Sequence, residues 1–152
     1  MSKSIIERMV DWGRRNSLNV FFYQMGGCSM CSVNKYDMFA PNNDFEHMGL
    51  RQCFSPRQAD ILMCSGALNS TNKDSLLSVY EQIPEPKFVI ALGACACTGG
   101  IFEKCYNVVG GVDSVLPVDL YIPGCPVNAA SVSEALEALI EKWEFAQQEE
   151  EE

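Results

Sequence analysis

The sequence predicts an α/β domain built on a parallel sheet of about four strands, with helices on both faces. Three observations carry this reading. Short apolar runs recur at Leu18–Gln24, Ala59–Cys64, Lys87–Leu92 and Val118–Ile122, each of a length suited to a buried strand. Stretches of helical spacing lie between and around them. The first, third and fourth runs each lead into a glycine with a cysteine within two residues of it. In a parallel sheet those loops fall beyond the carboxyl ends of the strands, where open α/β folds place their sites.

In chain order, Ser4 to Arg15 sets Ile5, Ile6, Met9, Val10 and Trp12 against Glu7, Arg8, Asp11 and Arg14, the pattern of an amphipathic helix that covers the sheet. Gly13 weakens its end, and Asn16-Ser17 leads into the first strand. The segment from Asn34 to Met48 mixes Tyr36, Met38 and Phe39 with Pro41-Asn42-Asn43-Asp44, which predicts a short helix and then a loop. The second strand ends at Ser65-Gly66. Lys73 to Gln82 is expected to be helical with Leu76, Leu77 and Tyr80 inward, stopped by Pro84-Glu85-Pro86. Asn128 to Phe145 places Val132, Ala135, Leu136, Leu139, Ile140 and Trp143 at helical spacing and closes the domain. One domain over residues 1–146 and an acidic tail over 147–152, ending in the run Glu149–Glu152, account for the chain.

At 152 residues and 47% hydrophobic content the chain can bury a substantial core. A net charge of −9 speaks against nucleic acid, which rewards clustered Lys and Arg. No apolar run approaches the roughly 20 residues that span a bilayer. Asp11, Arg14 and Arg15 follow too soon after the N-terminus for a signal peptide, so a cytoplasmic location is expected. Eight cysteines in that setting point to metal binding or redox chemistry rather than disulfides.

An iron–sulfur cube needs four thiolates around a compact core, and glycines let the backbone approach it. Cys28 and Cys31 form a two-thiol claw, Cys95 supplies a third ligand and Cys125 a fourth, with Gly26-Gly27, Gly93 and Gly124 close by. Pro123 and Pro126 stiffen the last loop. Structural zinc favours two local pairs, and the second pair here, Cys95 and Cys97, has an uncommon one-residue gap. A thioredoxin-like redox pair at Cys28 and Cys31 leaves the other two cysteine loops unexplained. Plain buried thiols are the expectation for Cys53, Cys64 and Cys105. Cys97 stands close enough to Cys95 to compete with it as ligand.

Three stretches carry a family resemblance: Ser55-Pro56-Arg57-Gln58-Ala59-Asp60, Pro84 through Cys95, and Pro117 through Pro126. From about Asn19 to Leu139 the chain resembles the cluster-bearing small subunit shared by respiratory complex I and energy-converting NiFe hydrogenases. The resemblance implies a flavodoxin-like fold and one 4Fe–4S cluster, the last in an electron wire. It further implies a ferredoxin-like donor subunit with two 4Fe–4S clusters, a hydrogenase-like or complex I-like catalytic large subunit, and membrane subunits. These partners would hold the chain at the cytoplasmic side of the membrane. In that family the third ligand is the cysteine of a Gly-x-Cys-x-x-x-Gly-Gly loop. The matching stretch, Gly93 to Gly100, therefore implies Cys95 rather than Cys97.

Within the family, complex I subunits carry adjacent cysteines at the first position, whereas Cys28 and Cys31 are two residues apart as in hydrogenase small subunits. That spacing favours a hydrogenase-like, ion-pumping complex. Two departures stand against it. Ser32, Val33 and Asn34 occupy the place where hydrogenase subunits carry an acidic residue, and Val127 breaks the Gly-Cys-Pro-Pro of complex I. A sulfur-reducing or quinone-reducing relative is the alternative, and a zinc-stabilised scaffold is the non-enzymatic one.

Arg51 and Arg57 flank Cys53, in a loop that could approach the cluster and raise its potential. His47, the sole histidine, is read as a surface or loop-capping group. Glu103, just past Gly99-Gly100, is read as a solvated charge that could serve proton movement. Met25, Met30, Met38, Met48 and Met63 are read as core filling. No catalytic acid, nucleophile or phosphate loop is evident; Gly99-Gly100 and Gly110-Gly111 lack the Lys-Ser/Thr partner of a nucleotide loop.

Overall fold

A computed structural model describes residue 13, residues 17–43 and residues 45–149, the last nine by backbone alone. Apart from Gly13, the helix expected over Ser4 to Arg15 lies outside the described residues.

Five strands, β1 (Leu18–Gly26), β2 (Leu50–Cys53), β3 (Ile61–Gly66), β5 (Phe88–Leu92) and β7 (Leu120–Ile122), form one wholly parallel sheet in the order β2-β1-β3-β5-β7. This is the flavodoxin-like order, with the reversal of direction between β1 and β3. A two-stranded antiparallel ribbon, β4 (Leu68–Asn69) with β6 (Val108–Gly110), lies beside it. The helices are α1 (Met30–Met38), α2 (Lys73–Gln82), α3 (Ala94–Thr98) and α4 (Ala129–Glu149).

The strands sort their side chains by the two-residue alternation of extended backbone. Leu18, Val20, Ile61, Met63, Ile90, Leu92 and Ile122 face one way and pack with Met38 of α1 and with Val132, Leu136 and Leu139 of α4. Leu62, Cys64, Val89 and Ala91 face the other way, toward Leu76 of α2 and Ala96 of α3. Strand β3 is buried on both faces, which is why its sequence is a continuous apolar run with no alternation.

The fourth expected strand is in place, and the sheet gains a fifth. Strand β2 has only Leu50 and Cys53 buried, with Arg51 exposed. An edge strand pairs on one side only, so its four residues carry no apolar run to announce it. The ribbon strands are likewise too short to show a period. Helix α4 extends to Glu149, three residues into the segment expected as tail.

The ends of β1 and β3 meet at Gly26 and Gly66. Gly66 has φ +89°, and a Cβ there would stand 1.8 Å from the Gly26 carbonyl oxygen. Gly66→Ala is therefore expected to cost roughly 3 kcal/mol or more, read as a lowered urea midpoint.

Burial pushes the Cys64 thiol up from an ordinary 9.0 to about 12. The unfolded chain gives up this proton at lower pH than the native one. Native stability is then complete below about 9 and falls as pH rises toward about 12. Cys64→Ala should flatten that alkaline loss in denaturation curves taken across the same range.

Candidate metal centre

All four proposed cysteines follow the carboxyl ends of strands, and each is presented by a different local device. After β1 the backbone turns through Gly26 (φ 150°) and Gly27 (φ 103°) to Cys28. Ser29 follows with φ 64°, the one non-glycine residue of positive φ among the described residues. Its hydroxyl accepts a 2.6 Å hydrogen bond from Gln24 Nε2, which holds the turn against β1. Helix α1 then starts at Met30 and carries Cys31 in its first turn. Cys95 sits in the first turn of α3, directly after Gly93 and Ala94. Cys125 lies in the loop after β7, where its peptide bond to Pro126 is cis.

Backbone bonds tie these loops together. The Gly93 amide donates to the Ile122 carbonyl (2.8 Å) and the Ala94 amide to the Gly124 carbonyl (2.9 Å), joining the Cys95 and Cys125 loops. Ser32 and Ser65 share a 3.0 Å hydroxyl contact between α1 and the end of β3. Gly93 has a second requirement beyond its φ of +87°, because a Cβ there would fall 2.7 Å from Cys31 Sγ. A Cβ on Gly100 would likewise come within 3.1 Å of Cys95 Sγ. Side-chain volume has been removed where sulfur must sit.

Between these elements lies an open recess of roughly 240 Å³, counted out to its mouth and lined by Gly26, Cys28, Met30, Cys31, Gly66 and Cys95 among others. It occupies the point where strand order reverses between β1 and β3, the usual ligand position of this topology. Cys28 and Cys125 are exposed, while Cys31 and Cys95 are half-buried. Burial pushes the Cys95 thiol up, and negative charge on Cys125, Cys28 and Cys31 adds to the rise. Cys28, Cys31 and Cys95 line the recess itself; Cys125 does not line it but lies close enough to act on Cys95.

That donor set fits an iron–sulfur cluster. Four soft thiolates are present, one for each iron, with glycine cradles beside two of them. Among the described residues no three His, Cys, Asp or Glu side chains converge as they would around a single ion. A cube holds its ligands on separate irons and does not ask for that convergence.

The other cysteines do not line the recess, although Cys97 lies near enough to Cys31 and Cys95 for their charge to act on it. Cys97 Sγ donates to the Ala91 carbonyl at 3.6 Å and packs against the core on the α2 face. Cys53 and Cys64 are buried, as expected. Cys105 is exposed instead of buried, because the loop after Phe102 runs over the surface. Arg51 pairs in register with Asn19, seven residues before Gly26 at the cysteine edge. Arg57 precedes Asp60, whose amide donates to the Asn19 carbonyl. Both backbones thus lie toward the strand starts, and the loop expected to bring them to the cluster is edge strand β2 and a short turn. His47 is exposed and sits in the turn before Gly49, whose carbonyl accepts from Leu18 at that same end. Glu103 is exposed.

Sequence reasoning missed Gly66, Ser32 and Ser65 as part of the site. Gly66 had a readable signal, since it also follows an apolar strand; the two serines had none.

The family model described as NADH ubiquinone oxidoreductase, 20 Kd subunit, matches residues 28–139 and so takes in all four of these cysteines. The chain belongs to this family. It is similar to a subunit of the NADH-quinone oxidoreductase of Geobacter metallireducens, at 41% identity over 80% of this chain and 69% of that one. It is 42% identical to a chloroplastic NAD(P)H-quinone oxidoreductase subunit of Draba nemorosa, over 87% of this chain and 58% of the relative. The chain thus spans less than two thirds of the chloroplast relatives it matches. Among solved structures, a chain of the archaeal membrane-bound sulfane sulfur reductase superposes with TM-score 0.77 at 30% identity, covering 89% of this chain and 75% of that one. An NAD+-reducing [NiFe]-hydrogenase chain shares the fold at TM-score 0.63 and 18% identity, over 82% of this chain and 91% of that one. The family members named here are subunits of oxidoreductase complexes. No helix among the described residues is long and apolar enough to cross a membrane.

Gly93→Ala should displace Cys31 Sγ and lower the iron retained by anaerobically purified protein, with the far-ultraviolet dichroism of the fold preserved. Cys97→Ala should leave the iron content unchanged.

Proposed function

We propose that this chain is an electron-transfer subunit that holds one 4Fe–4S cluster through Cys28, Cys31, Cys95 and Cys125. The observation that carries the reading is the placing of Cys28, Cys31, Cys95 and Cys125 just beyond the carboxyl ends of β1, β5 and β7, with Cys28, Cys31 and Cys95 lining one recess. When bound, such a cluster takes up and returns single electrons at a potential set by charge, hydrogen bonds to sulfur and solvent exposure. The chain's own work is to hold four thiolates apart at fixed positions and bring backbone up to them. Binding also draws the protons off the thiols, which matters most for Cys95.

The recess is open, and apolar side chains stand near it. Met30 is 48% exposed at its rim, and Ile101, in the turn after Gly100, is 79% exposed. Apolar surface of this kind suits cover by another protein. We assign that cover to the catalytic large subunit of a membrane-bound, ion-pumping, hydrogenase-like oxidoreductase complex, with a ferredoxin-like subunit carrying two 4Fe–4S clusters on the donor side. In this reading the chain is peripheral on the cytoplasmic side of the membrane, and the catalytic centre belongs to the large subunit.

The two-residue gap between Cys28 and Cys31 supports the hydrogenase-like branch. A quinone- or sulfur-reducing complex is the second reading, favoured by the 41% identity to the Geobacter subunit and the 0.77 TM-score with the sulfane sulfur reductase chain.

Anaerobic purification of the native complex, with metal analysis and EPR of the reduced sample, tests both. A 4Fe–4S signal that disappears in Cys125→Ser is expected. Stoichiometric zinc and no reducible centre would overturn the cluster reading. Nickel in the co-purifying large subunit, with hydrogen evolution, is the hydrogenase outcome; turnover of quinone or polysulfide without nickel selects the second reading.

A further inference from the structure

Asn34 stands one turn beyond Cys31 in α1, half-buried, and does not line the recess. Its side-chain Nδ2 donates to the backbone carbonyl of Val127, ninety-three residues away in sequence. Val127 is two residues past Cys125 and is 1% exposed. A Cβ on Gly93 would lie 3.6 Å from Val127 Cγ2, and one on Gly124 would lie 3.2 Å from it. Val127 is therefore packed between the Cys95 and Cys125 loops while its carbonyl is held from α1. Three cysteine-bearing segments meet at one residue.

We propose that Asn34 is a positioning residue of the cysteine site, whose side-chain amide braces α1 to the Cys125 loop and sets the separation of Cys31 from Cys125. The chemistry at position 34 follows from the acceptor. A carbonyl oxygen needs a donor, and an ionised carboxylate has none to offer. An acidic side chain at this position would face the Val127 carbonyl with like partial charge, so the amide is the group that fits. It also follows that position 34 carries no proton for the site. The acceptor is a backbone carbonyl, which any residue at 127 would offer, so the brace depends on the side chain at position 34.

The inference rests on the cluster reading for its redox consequence but not for its structural one, and the test separates them. Amide hydrogen exchange is compared between the wild-type complex and Asn34→Ala. Exchange across residues 123–131 should rise roughly tenfold, the effect of losing one hydrogen bond, while residues 88–92 of β5 keep their protection. Asn34→Gln, which retains the amide donor, should stay closer to wild type. In the iron-loaded complex, Asn34→Ala should lose iron to a chelator faster and shift the EPR lines of the reduced cluster. Unchanged exchange in Asn34→Ala, or an equal rise in β5, overturns the brace. Exchange that responds as expected while the anaerobically purified native complex holds stoichiometric zinc and no reducible centre upholds the brace and overturns the cluster reading instead.

Discussion

The gathering of cysteine-bearing loops beyond one edge of a parallel sheet is the constraint on which this structure turns. A half-buried thiol with others nearby gives up its proton less readily than a free one, so ionised sulfur there calls for cationic charge. The upward push on Cys95 from burial and from Cys125, Cys28 and Cys31 expresses that demand. In the cluster reading proposed above, iron would supply that charge, and the protein's part would be to hold four sulfurs in place at a sheet edge. The parallel topology makes this possible, because every strand of the sheet delivers its following loop to the same side.

Space is the second requirement, and glycine meets it. Gly93 leaves room for the sulfur of Cys31, Gly100 leaves room for the sulfur of Cys95, and Gly66 lets β3 close against the Gly26 carbonyl. Each loop is then fixed by polar contacts that cross between segments: Gln24 with Ser29, Ser32 with Ser65, and Asn34 with Val127. The result is a recess whose walls come from β1, α1, β3 and α3 and whose mouth stays open.

Much of this was legible in the linear chain. Central strands buried on both faces must be apolar throughout, so Ile61 to Cys64 and Val89 to Leu92 were readable as strands. The glycine–cysteine pairs marked the strand ends that bear the site. Strand β2 was not legible, because an edge strand needs only Leu50 and Cys53 to face inward and leaves Arg51 in solvent. The misplacement of Arg51 and Arg57 follows from the same gap: without β2 and its register to Asn19, nothing showed that these cations lie toward the strand starts. Cys105 looked like a core thiol because composition does not distinguish a surface loop from a buried one.

The sequence by itself determined the class of fold, since apolar periodicity is a local property of residue type and spacing, and thiol chemistry is the ground on which it puts forward a donor set. The loop pattern from Gly93 to Gly100 had implied Cys95 over Cys97, and the tertiary structure supplied the physical ground, placing Cys95 at the recess and Cys97 against the core. Cys95 and Cys97 are two residues apart in one short helix, and their surroundings separate them. Cys97 finds the Ala91 carbonyl and the core, whereas Cys95 lines the recess beside Cys28 and Cys31. Only the tertiary structure decided the brace from Asn34 to Val127. A hydrogen bond across ninety-three residues leaves no periodic trace in the chain, and it exists because the turn of α1 and the loop after β7 are folded onto the same spot.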